Sequence, residues 1–291
     1  MVDRRVAITG ANGQLGRQLV DAFRKRGDEV RPLTRPAFDL RRPRHEELLT
    51  WRPDVVINSA AWTDVDGCAR DPALAMALNG DAAGEVARVG ATAGALVVQI
   101  STNEVFDGLS DRPYTEHDEP NPINAYGASK LRGEELTIAA TDRSLVVRTA
   151  WLFGPGGTNF VTKIIAAAER ALSEARPLSV VDDEWGNPTW APDLASAIVE
   201  AVDRGRTGVI HLAGMPPATR FAWAEVCLDA VPLKIQMLGV PGSSFRRASR
   251  VPPRATLSPT IGLGFDWQNQ TRTYVADLRS AIPAENASTS L

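Results

Sequence analysis

The chain has 291 residues, 44% of them apolar and 23% charged, with a formal net charge of −3. Such a balance fits a globular protein with a substantial core, in one large domain or two modest ones. It excludes the basic footprint of a nucleic-acid binder or a partner of anionic membranes, and no apolar run approaches membrane-spanning length. Two cysteines, Cys68 and Cys227, have neither zinc-ligand spacing nor a disulfide framework and read as free thiols of a reducing compartment. With no basic-then-apolar leader at the N-terminus, a cytoplasmic location is expected.

Arg5–Thr9 reads as a strand, followed by the turn Gly10-Ala11-Asn12-Gly13-Gln14-Leu15-Gly16 and a helix to about Arg26. Strands are expected at Glu29–Leu33, Asp54–Asn58, Leu96–Ile100 and Leu145–Arg148, with helical patterns at roughly Arg44–Trp51, Asp71–Asn79 and Asp81–Ala93 and another starting near Tyr126. Runs such as Val55-Val56-Ile57 are apolar throughout, as strands covered on both faces are. The alternation predicts an α/β fold: a Rossmann-like, doubly wound parallel sheet. Beyond Trp151 glycine and proline become frequent. Helices at about Asn159–Leu172, Pro192–Asp203 and Phe221–Ala230 alternate with short strands at Leu178–Val181 and Val209–Leu212. The expected organisation is a dinucleotide-binding domain over 1–150, a smaller, interwoven C-terminal substrate lobe over 151–282, and a flexible tail over 283–291.

Gly10, Gly13 and Gly16 sit between a strand and a helix, where glycines make a tight turn, admit a pyrophosphate to the backbone and let helix and strand pack closely. Asn12, Gln14 and Leu15 complete this cradle, and the helix N-terminus offers amide donors and the positive end of its dipole. The second strand runs into Leu33-Thr34-Arg35 with no acid at its tip, which favours NADPH over NADH. Arg35 is then the candidate for a 2′-phosphate contact, a solvated surface arginine being the competing reading. Asp39 lies late for the ribose and suits the adenine side.

Ser101-Thr102 follows the fourth strand at its carboxyl end, where open parallel sheets hold their ligands. Tyr126 and Lys130 stand four residues apart, one helical turn, so that an ammonium can favour the phenolate and bring a phenol of pKa about 10 toward proton transfer near neutrality. A hydroxyl, a tyrosine and a lysine in this order make a carbonyl-reducing constellation.

The chain resembles the extended short-chain dehydrogenase/reductases, and within them the dTDP-4-dehydrorhamnose reductase family. The likeness is carried by Arg52-Pro53-Asp54-Val55-Val56-Ile57-Asn58-Ser59-Ala60-Ala61, by Ile100-Ser101-Thr102 with Val105-Phe106-Asp107-Gly108, and by Tyr126-Gly127 with Ser129-Lys130-Leu131. Further blocks are Arg148-Thr149-Ala150-Trp151-Leu152-Phe153-Gly154, Asn159-Phe160-Val161 and Gly186-Asn187-Pro188-Thr189. Two departures stand out: Asn103-Glu104 replaces the family's usual Asp-Tyr, and Arg250-Val251-Pro252-Pro253-Arg254-Ala255 replaces an Arg-x-x-Asn-Ser stretch.

The resemblance implies hydride transfer from NADPH, with NADH as the other option, to the C4 ketone of a dTDP-4-keto-6-deoxyhexose, dTDP-4-dehydrorhamnose yielding dTDP-L-rhamnose. Tyr126 would be the proton donor and Thr102 a donor to the same oxygen. Lys130 would hold the nicotinamide ribose and lower the tyrosine pKa from about 10 to about 7, a shift of roughly 4 kcal/mol. Leu40, Ala60 and Ala61 join the cofactor contacts, and Asn103, Trp151, Asn159, Phe160 and Arg250 the contacts to the sugar nucleotide. Capping and packing roles compete for Trp151, Asn159 and Phe160. His45, His117 and His211 lack metal-ligand spacing, so no metal is expected. A homodimer is left open. A sugar-nucleotide epimerase or dehydratase, and a non-catalytic regulatory subunit like that of methionine adenosyltransferase, are the competing functions.

Overall fold

The computed structural model describes residues 4–41, 46–260 and 266–280. Its centre is a parallel sheet built from β1 (Arg5–Thr9), β2 (Glu29–Leu33), β3 (Val55–Asn58), β4 (Leu96–Thr102), β5 (Ser144–Thr149) and the strand Gly208–His211. Across the sheet the order is β2, β1, β3, β4, β5 and then Gly208–His211. The order reverses between β1 and β3, and the crevice outside the carboxyl ends at such a switch point is where doubly wound sheets bind ligands.

Alternate residues of β1 serve opposite faces, as the two-residue period of a strand requires. Val6 and Ile8 pack with Leu15, Leu19 and Phe23 of helix α1 (Gln14–Arg26) and with Leu194 and Ile198 of the helix Ala191–Asp203. On the other face, Ala7 and Val56 pack with Val86 and Val89 of the helix Ala82–Thr92. All residues of β3 and β5 are buried, which accounts for their unbroken apolar runs.

The smaller lobe has its own core. Trp223, Phe153, Val161, Ile164 and Tyr274 join the helices Phe160–Ser173, Arg220–Asp229 and Trp267–Ser280. Its strand Leu178–Val181 pairs in parallel with Met237–Val240.

Two expectations change. The strand expected at Val209–Leu212 and grouped with the smaller lobe pairs with β5 as the sixth strand of the main sheet, and Ile210 and Leu212 bury their side chains in the first core. The chain thus leaves the sheet after β5 and returns to it before finishing in the lobe. The helix expected over Asp71–Asn79 is a short helix, Pro72–Ala75, that widens into a π-helical turn, Met76–Asp81. That extra width turns Asn79 inward, where its amide accepts from Trp62 N (2.7 Å) and donates to Trp62 O (3.0 Å) and Ser129 Oγ (3.1 Å). The helix Val65–Arg70, the strand Met237–Val240 and the helix Trp267–Ser280 were not anticipated. The start of the helix expected at Arg44 and the tail over 283–291 lie outside the described residues.

Candidate active site

The glycine turn has the geometry its spacing predicts. Gly10 adopts φ +63°, and a Cβ there would stand 2.8 Å from the Ala60 backbone. A Cβ on Gly16 would stand 2.2 Å from Gly10 O, so turn and helix touch through backbone alone. Gly13 is extended at the N-cap of α1 with no side chain on the helix's first amides, leaving them to face a ligand. Gly10, Asn12 and Gly13 form one wall of a cleft of about 590 Å³. Arg35, Asp39 and Leu40 line it from beyond β2, and Ala60 and Ala61 from beyond β3.

Three of the expected cradle residues work from behind. Leu15 is buried in the core, Gly16 backs the turn, and the Gln14 amide donates to Gly154 O (3.3 Å) at the edge of the lobe. Arg41, which the sequence reading passed over, is bonded to Asp39 (2.6 Å) and holds that carboxyl down to about 2.

Beneath the crevice runs a buried polar chain. Thr9 Oγ1 donates to Asn58 Oδ1 (2.6 Å), Asn58 Nδ2 to Gln99 Oε1 (2.8 Å) and Gln99 Nε2 to Ile100 O (2.9 Å). Side chains at three strand ends are thereby locked in one register. The same Ile100 carbonyl accepts from Lys130 Nζ at 2.6 Å. Behind the lysine, Glu134 accepts from Ser101 Oγ and pairs with the buried Arg148 (2.7 Å), tying the helix Ala125–Ala140 to β4 and β5.

Thr102, Tyr126 and Lys130 meet at the carboxyl end of β4, as expected. Asn124 caps the helix through a 2.7 Å bond from Gly127 N, which presents Tyr126 on the first turn. The Thr102 hydroxyl lies near enough to the phenol to favour its ionised form, accepts from Glu104 N (3.2 Å) and donates to Asn103 Oδ1 (3.3 Å).

The electrostatics differ from the expectation. Burial, followed by the Glu104 carboxylate, pushes the Tyr126 phenol above its ordinary value, and only the Thr102 hydroxyl opposes this. Lys130 points into the sheet toward Ile100 O, not at the phenol. Burial holds its own pKa down to about 8, with Glu134 partly offsetting. The phenol is therefore kept firmly protonated, the form an acid catalyst needs.

A second cavity, of about 850 Å³, is lined by Glu104, which follows Thr102 in the chain, and by Trp151, Asn159 and Phe160 among others. Trp151 holds φ +43°, a conformation that costs a non-glycine residue of order 1–3 kcal/mol. Its indole stacks on Trp223 (5.9 Å between centroids) and over Gly186, where any side chain would clash with the ring. Asn159 spends its amide on the N-cap of Phe160–Ser173 and on Gly154 O (3.0 Å), so the capping role holds alongside its place in the wall.

The sequence reading missed the charged groups of this cavity. The Arg220 guanidinium lies 3.5 Å from the Trp151 ring centroid and 5.1 Å from that of Phe160, and burial lowers its pKa to about 10. Arg247 pairs with Glu184 (2.6 Å), and Lys163 adds a further cation to the lining. No local spacing marks these residues; the only sequence hint is an arginine just before an apolar helical pattern, after Thr219.

Two expected substrate contacts take other positions. Asn103 is buried, its amide donating to Ala255 O (2.8 Å) and accepting from Thr102 (3.3 Å), because the C-terminal segment crosses directly behind it. It positions Thr102 and does not face the sugar cavity. Arg250 is exposed, and its place in the site is through its carbonyl, which accepts from Asn124 (2.9 Å); Arg247 and Arg220 occupy the cavity instead. Arg254 lies over the Trp185 ring (5.3 Å).

A parallel sheet with a glycine turn at its switch point and a Thr–Tyr–Lys set at the next strand end defines a dinucleotide-binding carbonyl reductase of the extended short-chain class. The sequence matches the family described as the RmlD substrate binding domain over residues 4–284, and the chain belongs to that family. The dTDP-4-dehydrorhamnose reductase of Streptomyces griseus is 40% identical over 217 residues, covering 74% of this chain and 68% of the relative. Among solved structures, the dTDP-4-dehydrorhamnose reductase of Clostridium acetobutylicum superposes with a TM-score of 0.90 at 31% identity, over 94% of this chain and 99% of the other. That of Bacillus anthracis, in complex with NADP, gives 0.88 at 29% identity over 95% and 100%.

Proposed function

We propose that the protein is an NADPH-dependent reductase acting on the C4 ketone of a dTDP-4-keto-6-deoxyhexose, with dTDP-4-dehydrorhamnose as the substrate and dTDP-L-rhamnose as the product. The observation that carries this reading is the nearness of Thr102, at the carboxyl end of β4, to Tyr126 on the first turn of the following helix, in a chain that also has a glycine-walled cleft of about 590 Å³ at the switch point and a cation-lined cavity of about 850 Å³.

The cofactor cleft fits a dinucleotide. Gly10 and Gly16 keep the backbone side-chain-free where a pyrophosphate would approach, the first amides of α1 are open, and Arg35 and Arg41 stand at the adenosine end. NADPH, when bound, supplies the hydride. Every other part of the reaction belongs to the protein. Thr102, with a lone pair filled by Glu104 N–H, directs its own proton to the ketone oxygen in place of the long contact to Asn103. Tyr126 delivers a proton to the alkoxide as it forms. An alkoxide is far more basic than a phenolate, so transfer is downhill even from a phenol of raised pKa. Lys130, one helical turn from Tyr126, holds its ammonium on Ile100 O in this structure and would have to turn from that carbonyl to reach a ribose hydroxyl.

Arg220, Arg247 and Lys163 give the second cavity the cations a diphosphate requires, while Trp151 and Phe160 offer apolar ring faces to sugar or base. On this reading residues 1–150, with the returning segment 191–211, form the cofactor domain, and the remainder of 151–282 forms the sugar-nucleotide lobe. Among the described residues no helix is long and apolar enough to cross a membrane. The buried free thiols Cys68 and Cys227 support a reducing, cytoplasmic setting.

The test is to mix the purified protein with NADPH and a dTDP-4-keto-6-deoxyhexose. Loss of reduced-cofactor absorbance matching the 4-hydroxy product mole for mole is expected. Isomerisation of the sugar with no net cofactor consumption would instead make the protein an epimerase, and no turnover with tight cofactor binding would leave the regulatory-subunit reading.

A further inference from the structure

We propose that Glu104 gives this site a second activity: removal and return of the proton on a carbon next to the substrate ketone, so that the enzyme exchanges that hydrogen with water independently of reduction. The proposal rests on the ketoreductase reading of the site, because it needs a ketone held by Thr102 and Tyr126.

The argument starts from position. Glu104 lies on the single 3-10 turn Asn103–Val105 that follows Thr102, and its own N–H donates to the Thr102 hydroxyl. Its side chain lines the sugar cavity and is close enough to Tyr126 for its charge to act on the phenol. One oxygen, Oε2, is fixed by Asn124 Nδ2 at 2.7 Å, and Asn124 in turn caps the helix that carries Tyr126. The carboxylate is thus tied to the same two elements that hold the carbonyl-polarising pair. A ketone bound by that pair would lie beside this carboxylate, whose other oxygen accepts no hydrogen bond among the described residues.

Among the described residues the nearby cations do not neutralise it by contact: Arg247 is paired with Glu184 at 2.6 Å, and Arg220 lies on the Trp151 ring. Burial raises the Glu104 pKa above the ordinary carboxylate value, with the Asn124 bond and the field of Arg220 opposing, which strengthens it as a base. A basic carboxylate beside hydrogen-bond donors aimed at a carbonyl oxygen is the arrangement for proton abstraction α to a carbonyl.

The step balances without an oxidant or reductant. The carbon–hydrogen bond breaks and its proton goes to Glu104. The electron pair forms a carbon–carbon double bond, and the charge moves to the oxygen, held by Thr102 and Tyr126. The carboxyl exchanges its proton with water and returns one to the same carbon.

The experiment incubates the enzyme in heavy water with dTDP-4-keto-6-deoxyglucose and NADP+, which has no hydride to give, and follows the hydrogens at C3 and C5 by proton NMR. The wild type is expected to incorporate deuterium at one of these carbons at least about 100-fold faster than the enzyme-free control, the range of a positioned base. Glu104→Gln can still accept from Asn124 but cannot take a proton. Its ratio of exchange to NADPH-driven reduction should fall at least about tenfold, with its melting temperature and NADP+ affinity measured alongside to show an intact fold. Wild-type exchange no faster than the control overturns the proposal, as does an unchanged ratio in Glu104→Gln. NADPH oxidation is measured separately, so failure of the reductase reading shows there, whatever the exchange result.

Discussion

The cofactor cleft and the sugar cavity are built from different materials. The cofactor cleft is walled largely by backbone at strand ends and by residues near them in sequence: Gly10 to Gly13 after β1, Leu33 to Arg41 after β2, and Ser59 to Trp62 after β3. The sugar cavity is walled by long side chains from separate parts of the chain, with Glu104, Trp151, Phe160, Glu184, Arg220 and Arg247 all contributing. Backbone walls bind what every dinucleotide shares, a pyrophosphate. Side-chain walls can change one residue at a time, and Glu104, one of the two departures from the family pattern after Thr102, stands in this one. Function at the first cleft should therefore fail through geometry, and at the second through individual charges and rings.

The largest effect is expected at the proposed proton donor. Tyr126→Phe is expected to lower kcat about 1,000-fold, within the range of a lost general acid, while cofactor affinity measured by fluorescence titration changes less than about threefold. Full activity in this variant would remove the assigned proton donor.

Next in size is a pH effect on the cofactor-free protein. Lys130 has its folded pKa lowered to about 8 from an ordinary 10.5, so below about pH 8 the fold carries the full cost of a buried charge. Between those values the unfolded chain keeps a proton the folded chain has lost, and stability should rise with pH, by roughly 3 kcal/mol in all at 1.36 per unit. Cys68 and Cys227, whose thiols burial raises above their ordinary 9.0, act in the opposite sense in the same window, so the Lys130 contribution is read as the difference between wild type and Lys130→Met in urea unfolding across it.

Gly16→Ala tests the backbone wall. Its Cβ would be driven against Gly10 O and the Ala11 backbone, at a cost of about 2 kcal/mol. The melting temperature and NADPH affinity should fall together, while KM for the sugar nucleotide barely moves. Arg220→Met tests the other cleft, with the reverse pattern: KM for the sugar nucleotide up about tenfold, or about 1.4 kcal/mol, and cofactor affinity unchanged. The smallest effect is expected at the exposed Arg35. Arg35→Ser should cost NADPH about 1 kcal/mol of affinity and NADH nothing, read as a change in the ratio of their KM values. If Arg41 carries the 2′-phosphate instead, that ratio will move only in Arg41→Ser.

How much of this could be read beforehand follows the same division. The glycine turn, the bounds of β1 and β2 and the Tyr126–Lys130 spacing were legible because each depends on residues within a few positions of one another, and Thr102 was marked by its place at the carboxyl end of a strand. The π-helical turn at Met76–Asp81 was not, since what stabilises it is Asn79 reaching Trp62 and Ser129, partners set only by packing. The returning strand Gly208–His211 has the composition of any short buried strand, and only its pairing with β5 assigns it to the sheet. Arg220 had no motif around it, because its meaning lies in an indole 69 positions earlier, at Trp151.

By itself the sequence determined the class of fold and the family, and it marked the residues proposed for the cofactor cradle and the proton donor, because local periodicity and short contiguous motifs encode strand ends and what stands on them. Tertiary structure alone decided the direction in which Tyr126 is tuned, the committed role of Asn103 and the charged lining of the sugar cavity. The reason is physical: a pKa depends on burial and on every charge nearby, and a cavity wall depends on which distant segments the core brings together. Neither quantity is a property of residues taken in order along the chain.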